Sequence, residues 1–145
     1  RFGIVLSSKG GALKKMLLPF KMGLGGVIGS GEQYMSWVSI DDAVAMIQHV
    51  ISDESIHGPV NFVTPNSISN REFTKTLGSV LHRPTIFPLP AVVAQLVFGE
   101  MANELLLSGA RVYPKILLES GYKFRYPNLS SALEHLLKTD TITKE

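Results

Sequence analysis

Three observations predict an α/β fold. Short apolar, partly β-branched runs alternate with helically periodic segments over the first 64 residues. Serine-based capping signals mark the starts of three of the helices. The material for a core is ample: 45% of the 145 residues are hydrophobic and 18% are charged, a balance unlike that of disordered chains. The order strand, helix, strand, helix, strand is that of an α/β layer.

Phe2 to Leu6 is apolar and bounded by Ser7, Ser8 and the Gly10–Gly11 turn, the mark of a buried strand. Leu13, Met16, Leu17 and Phe20 form one apolar helix face, with Lys14, Lys15 and Lys21 off it and Gly23 at its end. The glycine-rich stretch Gly23 to Gly31 is expected to be a mobile loop beside a pocket. Ser36 to Ile40 reads as a short strand. Ser39 and Asp42 then open a helix whose buried face is expected to hold Ala43, Val44, Ile47, Val50 and Ile51. Gly58–Pro59 turns into a strand over Val60 to Thr64.

Ser69 to Glu72 has the spacing of a capping box, followed by the apolar stripe Phe73, Leu77, Val80 and Leu81. Thr85 to Phe87 and Arg111 to Tyr113 are candidate short strands. Helices are expected over Ala91 to Phe98, Glu100 to Leu107 and Pro114 to Ser120, with Gly99 and Gly121 as breaks. The last helix carries Leu129, Ala132, Leu133, Leu136 and Leu137, with Ser131 and Glu134 spaced as a box. The polar residues from 139 to 145 are expected to fray.

The net charge of +2 argues against nucleic acid or a membrane surface as partner. The early cations Arg1, Lys9, Lys14, Lys15 and Lys21 read as a solvated helix face or, alternatively, as an anion-facing rim. Cysteine is absent, which removes disulfides, thiolate metal sites and cysteine nucleophiles, and fits a reducing compartment. No run approaches the roughly 20 apolar residues that span a bilayer.

Much of the usual chemistry is missing. A dinucleotide fingerprint traced from Gly23 puts Ile28 at its third glycine position, and no helix is expected next. His49, His57, His82 and His135 have no metal-ligand spacing. Asp41 and Asp42 are neighbours at a helix start, where carboxylates are favoured without any acid–base role. The residues four beyond Tyr34, Tyr113, Tyr122 and Tyr126 are Val38, Leu117, Tyr126 and Ser130, so no Tyr-x-x-x-Lys pair exists. No catalytic residue and no metal ligand is assigned.

Arg1 to Leu6, Pro19–Phe20 with the glycine loop, Gln33, Ser36 to Asp42, Arg83–Pro84, Gly99–Glu100 and Gly121 to Phe124 together resemble one group. It is the atypical extended short-chain dehydrogenase/reductases, named sugar-nucleotide epimerase-like proteins, some relatives of which are labelled cell-division inhibitors. The resemblance runs over about residues 1 to 138 and implies the C-terminal half of such a protein. The fold implied is α/β: the last strands and helices of a Rossmann-type sheet over 1–64, then a small mixed α/β substrate domain over 65–138. Opening on a bare apolar strand without an initiator Met or leader, the chain is expected to be a piece of a longer one.

The same resemblance implies NADP(H) or NAD(H) for the full-length parent, with the glycine fingerprint and the Tyr/Lys pair in the missing N-terminal half. The chain alone is expected to bind no cofactor. Phe2, Gly3 and Ile4 are implied near the nicotinamide, and Gly10, Gly11, Gln33 and Trp37 around a small-molecule substrate. Plain core packing remains open for Trp37, and a solvated loop position for Gln33. Nucleotide-sugar epimerases carry an Arg seven residues before the position of Asp42 to hold a diphosphate. Here that residue is Met35, which offers no donor. The expected partners are the missing half of the chain and the substrate, with a homodimer left open. The expected compartment is the cytoplasm or an organelle stroma or matrix. A non-catalytic NADP-binding regulator and a free-standing interaction module are the alternative functions.

Overall fold

The computed structural model describes the backbone of residues 1–107 and 109–142 and the side chains of 1–103 and 109–138. In chain order the elements are β1 (Ile4–Leu6), α1 (Gly11–Lys21), β2 (Tyr34–Met35), β3 (Trp37–Ser39), α2 (Ile40–Ser52), β4 (Ile68–Ser69), α3 (Asn70–Leu81), α4 (Ala91–Phe98), α5 (Glu100–Leu107), α6 (Lys115–Glu119) and α7 (Leu129–Ile142). β1 runs parallel to β3, with Ile4 opposite Trp37 and Leu6 opposite Ser39. β2 pairs antiparallel with β4, Tyr34 opposite Ser69. α1 is the crossover between the parallel strands, as that pairing requires.

The helix ends follow the local signals. Ser39 Oγ accepts from the Asp42 N–H at 3.1 Å. Ser69 Oγ accepts from Glu72 N–H, and the Glu72 carboxylate accepts from Ser69 N–H, a complete capping box. Gly23 takes φ +76 and donates to Phe20 O while Leu24 donates to Pro19 O, the paired bonds that close a helix C-terminus. α7 departs from expectation. It begins at Leu129, with Asn128 Oδ1 accepting from Ser130 N–H, so Asn128 is the cap and Ser131 already lies within the first turn.

Three expected strands do not form, each for a traceable reason. Val60 to Thr64 bends at Val63 and divides its bonds between two neighbours: Phe62 N–H donates to Arg1 O, and Thr64 N–H to Trp37 O. A single parallel bridge, Phe2 to Phe62, is the result. Thr85 to Phe87 is flanked by Pro84 and Pro88, with Pro90 just beyond, residues that lack the N–H a ladder needs, and nearby only Leu89 bridges, to Ile28. Arg111 to Tyr113 bonds to a side chain instead of a strand, Val112 N–H donating to Ser36 Oγ at 3.0 Å.

The glycine loop is anchored, not open. Ile28 is buried, its N–H donates to the buried Asn70 Oδ1 at 2.9 Å, and Arg71 Nη2 donates to Ser30 O at 2.7 Å. A Cβ on Gly25 would stand 2.5 Å from the Phe20 ring, and one on Gly26 would collide with the Phe87 carbonyl. These glycines are there for close backbone approach.

The main core joins Leu13, Met16, Leu17 and Phe20 of α1 to Met35, Trp37, Phe73, Leu77, Ala94, Phe98, Leu133 and Leu136. The segments 1–64 and 65–138 therefore share one core. A smaller cluster holds Val38, Ala43, Met46, Val60 and Leu117. On α2 the expected buried face holds for Ala43 and in part for Val50, which packs against the smaller cluster, and fails for the other three residues. Asp42, Ala43 and Met46 face inward, whereas Val44, Ile47 and Ile51 are exposed, Ile51 by 76%. The helix is apolar on two sides, and the described residues cover only one.

Asp42 is fully buried. Its carboxylate accepts from Tyr122 Oη–H at 2.6 Å, Arg125 N–H at 3.0 Å and Tyr126 N–H at 2.9 Å. Burial first, and then the hydrogen bond to Asp42, push the Tyr122 phenol well above its ordinary 10.0. Asp42→Ala, which strands three donors, is expected to cost about 3 kcal/mol in urea unfolding, and Tyr122→Phe about 1 kcal/mol. The native phenol resists ionisation, so the stability it confers is full below pH 10 and declines as pH rises further. In Tyr122→Phe that alkaline decline should shrink.

Candidate functional site

The amino ends of β1 and β3 meet a bend of the chain at residues 65–67 and the segment 110–113. Ser36 is the junction. Its carbonyl accepts from Ile4 N–H at 2.8 Å. Its hydroxyl bonds to Ser67 Oγ at 3.2 Å, donates to Ala110 O at 3.0 Å and accepts from Val112 N–H. One small side chain thus ties residues more than 70 positions away to the start of β3.

Gly3 fits against this junction. A Cβ there would stand 2.5 Å from Ser36 O and 2.7 Å from Val63 Cγ1, so no larger residue is accommodated without movement. Phe2 is 54% exposed and stacks on Phe62 with centroids 4.7 Å apart and planes inclined by 18°. Asn61 Nδ2 donates to Tyr113 O at 3.3 Å, linking this aromatic pair to the segment that follows Arg111. Arg111 itself lies over the Tyr34 ring, 4.1 Å from guanidinium carbon to centroid.

The residues singled out from the sequence are not all brought together. Phe2, Gly3 and Ile4 lie at the amino end of β1, beside Ser36. Gly10 and Gly11 lie past its other end, where Ser7 and Gly10 bridge and Gly11 takes φ +68 at the start of α1. Gln33 is half-buried, and its Nε2 donates to Ile28 O at 3.0 Å, so its amide secures the glycine loop. Trp37 is fully buried in the main core, and its indole N–H donates to Asn66 O at 3.1 Å. Of its two readings, core packing is the one the structure displays: no ring face is left as a platform.

Sequence reasoning missed Ser36, Ser67, Tyr34 and Arg111 as a group. Nothing in their spacing links them, since Ser36 and Val112 are joined only by the fold. Met35 is the one usable signal, because it leaves the place of the diphosphate-holding arginine without a cation. Arg83, one of the residues that carry the resemblance, is occupied elsewhere, donating from Nε to Lys21 O at 2.9 Å.

Comparison with known proteins places this geometry. Epimerase family protein SDR39U1 of Homo sapiens is 43% identical over 137 residues, which cover 94% of this chain and 47% of that protein. Epimerase family protein YfhF of Bacillus subtilis is 40% identical over 94% of this chain and 45% of its own length. The crystal structure of human SDR39U1 with NADPH superposes with a TM-score of 0.87 at 42% identity, again over 95% of this chain and 47% of that one. The chain corresponds to the C-terminal half of the epimerase family proteins.

It spans about half the length of these relatives. A family model described as a domain of unknown function, DUF1731, matches residues 89–136, from the start of α4 to within α7. The nucleoside-diphosphate sugar epimerase of Corynebacterium glutamicum superposes with a TM-score of 0.69 at 32% identity, over 94% of this chain and 25% of that one. The epimerase-family fold is of the Rossmann type, in agreement with the α/β class read from the sequence. Among the described residues no helix is long and apolar enough to cross a membrane.

Ser36→Ala removes the junction while leaving the backbone of β3 in place. It should cost about 1–2 kcal/mol and release the Val112 amide to fast hydrogen exchange, with the α7 amides unaffected.

Proposed function

We propose that this chain is the substrate-facing half of an NADPH-dependent oxidoreductase or epimerase-like protein that acts on a small molecule. The observation that carries this reading is the close superposition, over nearly the whole chain, on an epimerase family protein crystallised with NADPH. When bound, NADPH supplies or accepts hydride. On this reading the glycine fingerprint and the Tyr-x-x-x-Lys pair, neither of which occurs in this sequence, are supplied by the half of the relatives' length that this chain does not span.

This half contributes the nicotinamide end of the cofactor site. The exposed face of Phe2, held by its stack on Phe62, offers a flat apolar surface suited to a planar ring. Gly3 keeps the backbone beside it free of side-chain bulk. Gly10, Gly11 and Gln33 rim the substrate pocket, Gln33 through the glycine loop it secures.

The preceding half also covers α2. Ile40, Val44, Ile47 and Ile51 follow a helical repeat, and each is at least 38% exposed here. An apolar stripe of that regularity is built to be packed against. The lack of cysteine suits a reducing compartment, the cytoplasm or an organelle stroma or matrix.

Fluorescence titration tests the assignment. The full-length protein is expected to bind NADPH with micromolar affinity, and the 145-residue chain alone to give no saturable signal. Saturable binding by the chain alone would place the cofactor site here and overturn the division of labour. In the full-length protein, Ile47→Lys should lower the unfolding midpoint by about 2–4 °C or more, because it forces a cation into a packed interface.

A further inference from the structure

We propose that Arg111 is the anion anchor of the substrate site, and that the anion it takes is a carboxylate on a substrate with an apolar body. The inference rests on the functional reading above and names the substrate class for it.

Arg111 opens onto a cleft of about 300 Å³ lined by Pro65, Asn66, Ser67, Arg111, Val112 and Tyr113. Its guanidinium sits over the Tyr34 ring. A guanidinium held this way uses its face on the ring and keeps its N–H edges for a ligand. The platform is rigidly placed, because Tyr34 belongs to β2 and pairs with Ser69. The backbone carrying Arg111 is fixed on both sides by Ser36 Oγ, through Ala110 O and Val112 N–H. The same Ser36 packs against Gly3, so the cleft adjoins the proposed nicotinamide end.

The composition of the cleft selects the ligand. It holds one cation and no carboxylate. A diphosphate calls for two cations or a row of backbone donors, and Met35 stands where related epimerases supply the arginine for it. A carboxylate matches a single guanidinium through two parallel N–H bonds. The Ser67 hydroxyl and the Asn66 amide at the cleft wall are engaged within the protein, Ser67 with Ser36 Oγ and Val112 O and Asn66 with Pro127 O, which leaves Arg111 as the cationic group facing a ligand, while Pro65, Val112 and Tyr113 provide apolar walls for the body of the substrate.

The test uses the full-length protein saturated with NADPH, with benzoate and inorganic pyrophosphate as probes, followed by calorimetric titration. Wild type is expected to bind benzoate. Arg111→Ala should weaken benzoate binding by about tenfold or more, Arg111→Lys should recover only part of it, and Tyr34→Leu should fall between. Pyrophosphate should bind no better to wild type than to Arg111→Ala. The NADPH affinity of Arg111→Ala should equal that of wild type, which also reports that the variant is folded. Absent benzoate binding, benzoate binding unchanged in Arg111→Ala, or Arg111-dependent pyrophosphate binding that exceeds benzoate binding would each overturn the proposal. Failure of the wild-type protein to bind NADPH would instead count against the functional reading, and the benzoate comparison in the apoprotein would still decide the role of Arg111.

Discussion

The Asp42 carboxylate, buried at the first turn of α2, ties that helix to the segment that leads into α7. A charge out of water is costly unless it is fully hydrogen-bonded. Here it is met by the Tyr122 hydroxyl and by the backbone N–H groups of Arg125 and Tyr126, and it lies at the positive end of a helix. The segment from Tyr122 to Tyr126 has no regular structure of its own. Its path from α6 to α7 is set by where that carboxylate stands. α7 in turn packs Leu129, Leu133 and Leu136 into the same core as α1 and α3.

Ser36 performs a smaller version of the same task one strand away. Both residues belong to the short run from Tyr34 to Asp42, where the chain passes from an antiparallel pairing with β4 to a parallel pairing with β1 and then into α2. That run is the frame on which the remote segments 110–113 and 122–126 are hung. The candidate site leans on it: Ser36 bonds to the residues on both sides of Arg111 and to Ile4 N–H, Gly3 fits closely against the Ser36 carbonyl, and Gly3 N–H in turn donates to Phe62 O. Function-bearing groups positioned by side chains in this way give a site that tolerates variation in its loops while its frame stays fixed.

Signals confined to a few residues were legible in the sequence. The Ser39 and Ser69 caps, the end of α1 at Gly23 and the apolar stripe of α7 all depend on neighbours within one or two turns. Signals that depend on distant partners were not. Asp42 read as a helix-start residue, and nothing near it announced Tyr122, 80 residues on. Val60 to Thr64 has the composition of a strand, yet its bonds are split between Arg1 and Trp37. α2 carries apolar residues on two faces, and periodicity alone does not say which face the same stretch of chain covers. Trp37 was caught between two readings because burial, which separates a core indole from a substrate platform, is a property of the packed molecule. The family resemblance was legible because it rests on many short pieces in a fixed order.

The claim on which this account stands is that Asp42 makes the segment from Tyr122 to Tyr126 part of the common core and not a loop laid over it. Native-state amide exchange measured across a urea series tests it directly. The account predicts that the Arg125 and Tyr126 amides exchange only through the opening that also exposes Leu133 in α7, with the same free energy and the same urea dependence. Exchange of both amides at loop-like rates while Leu133 remains protected would contradict it.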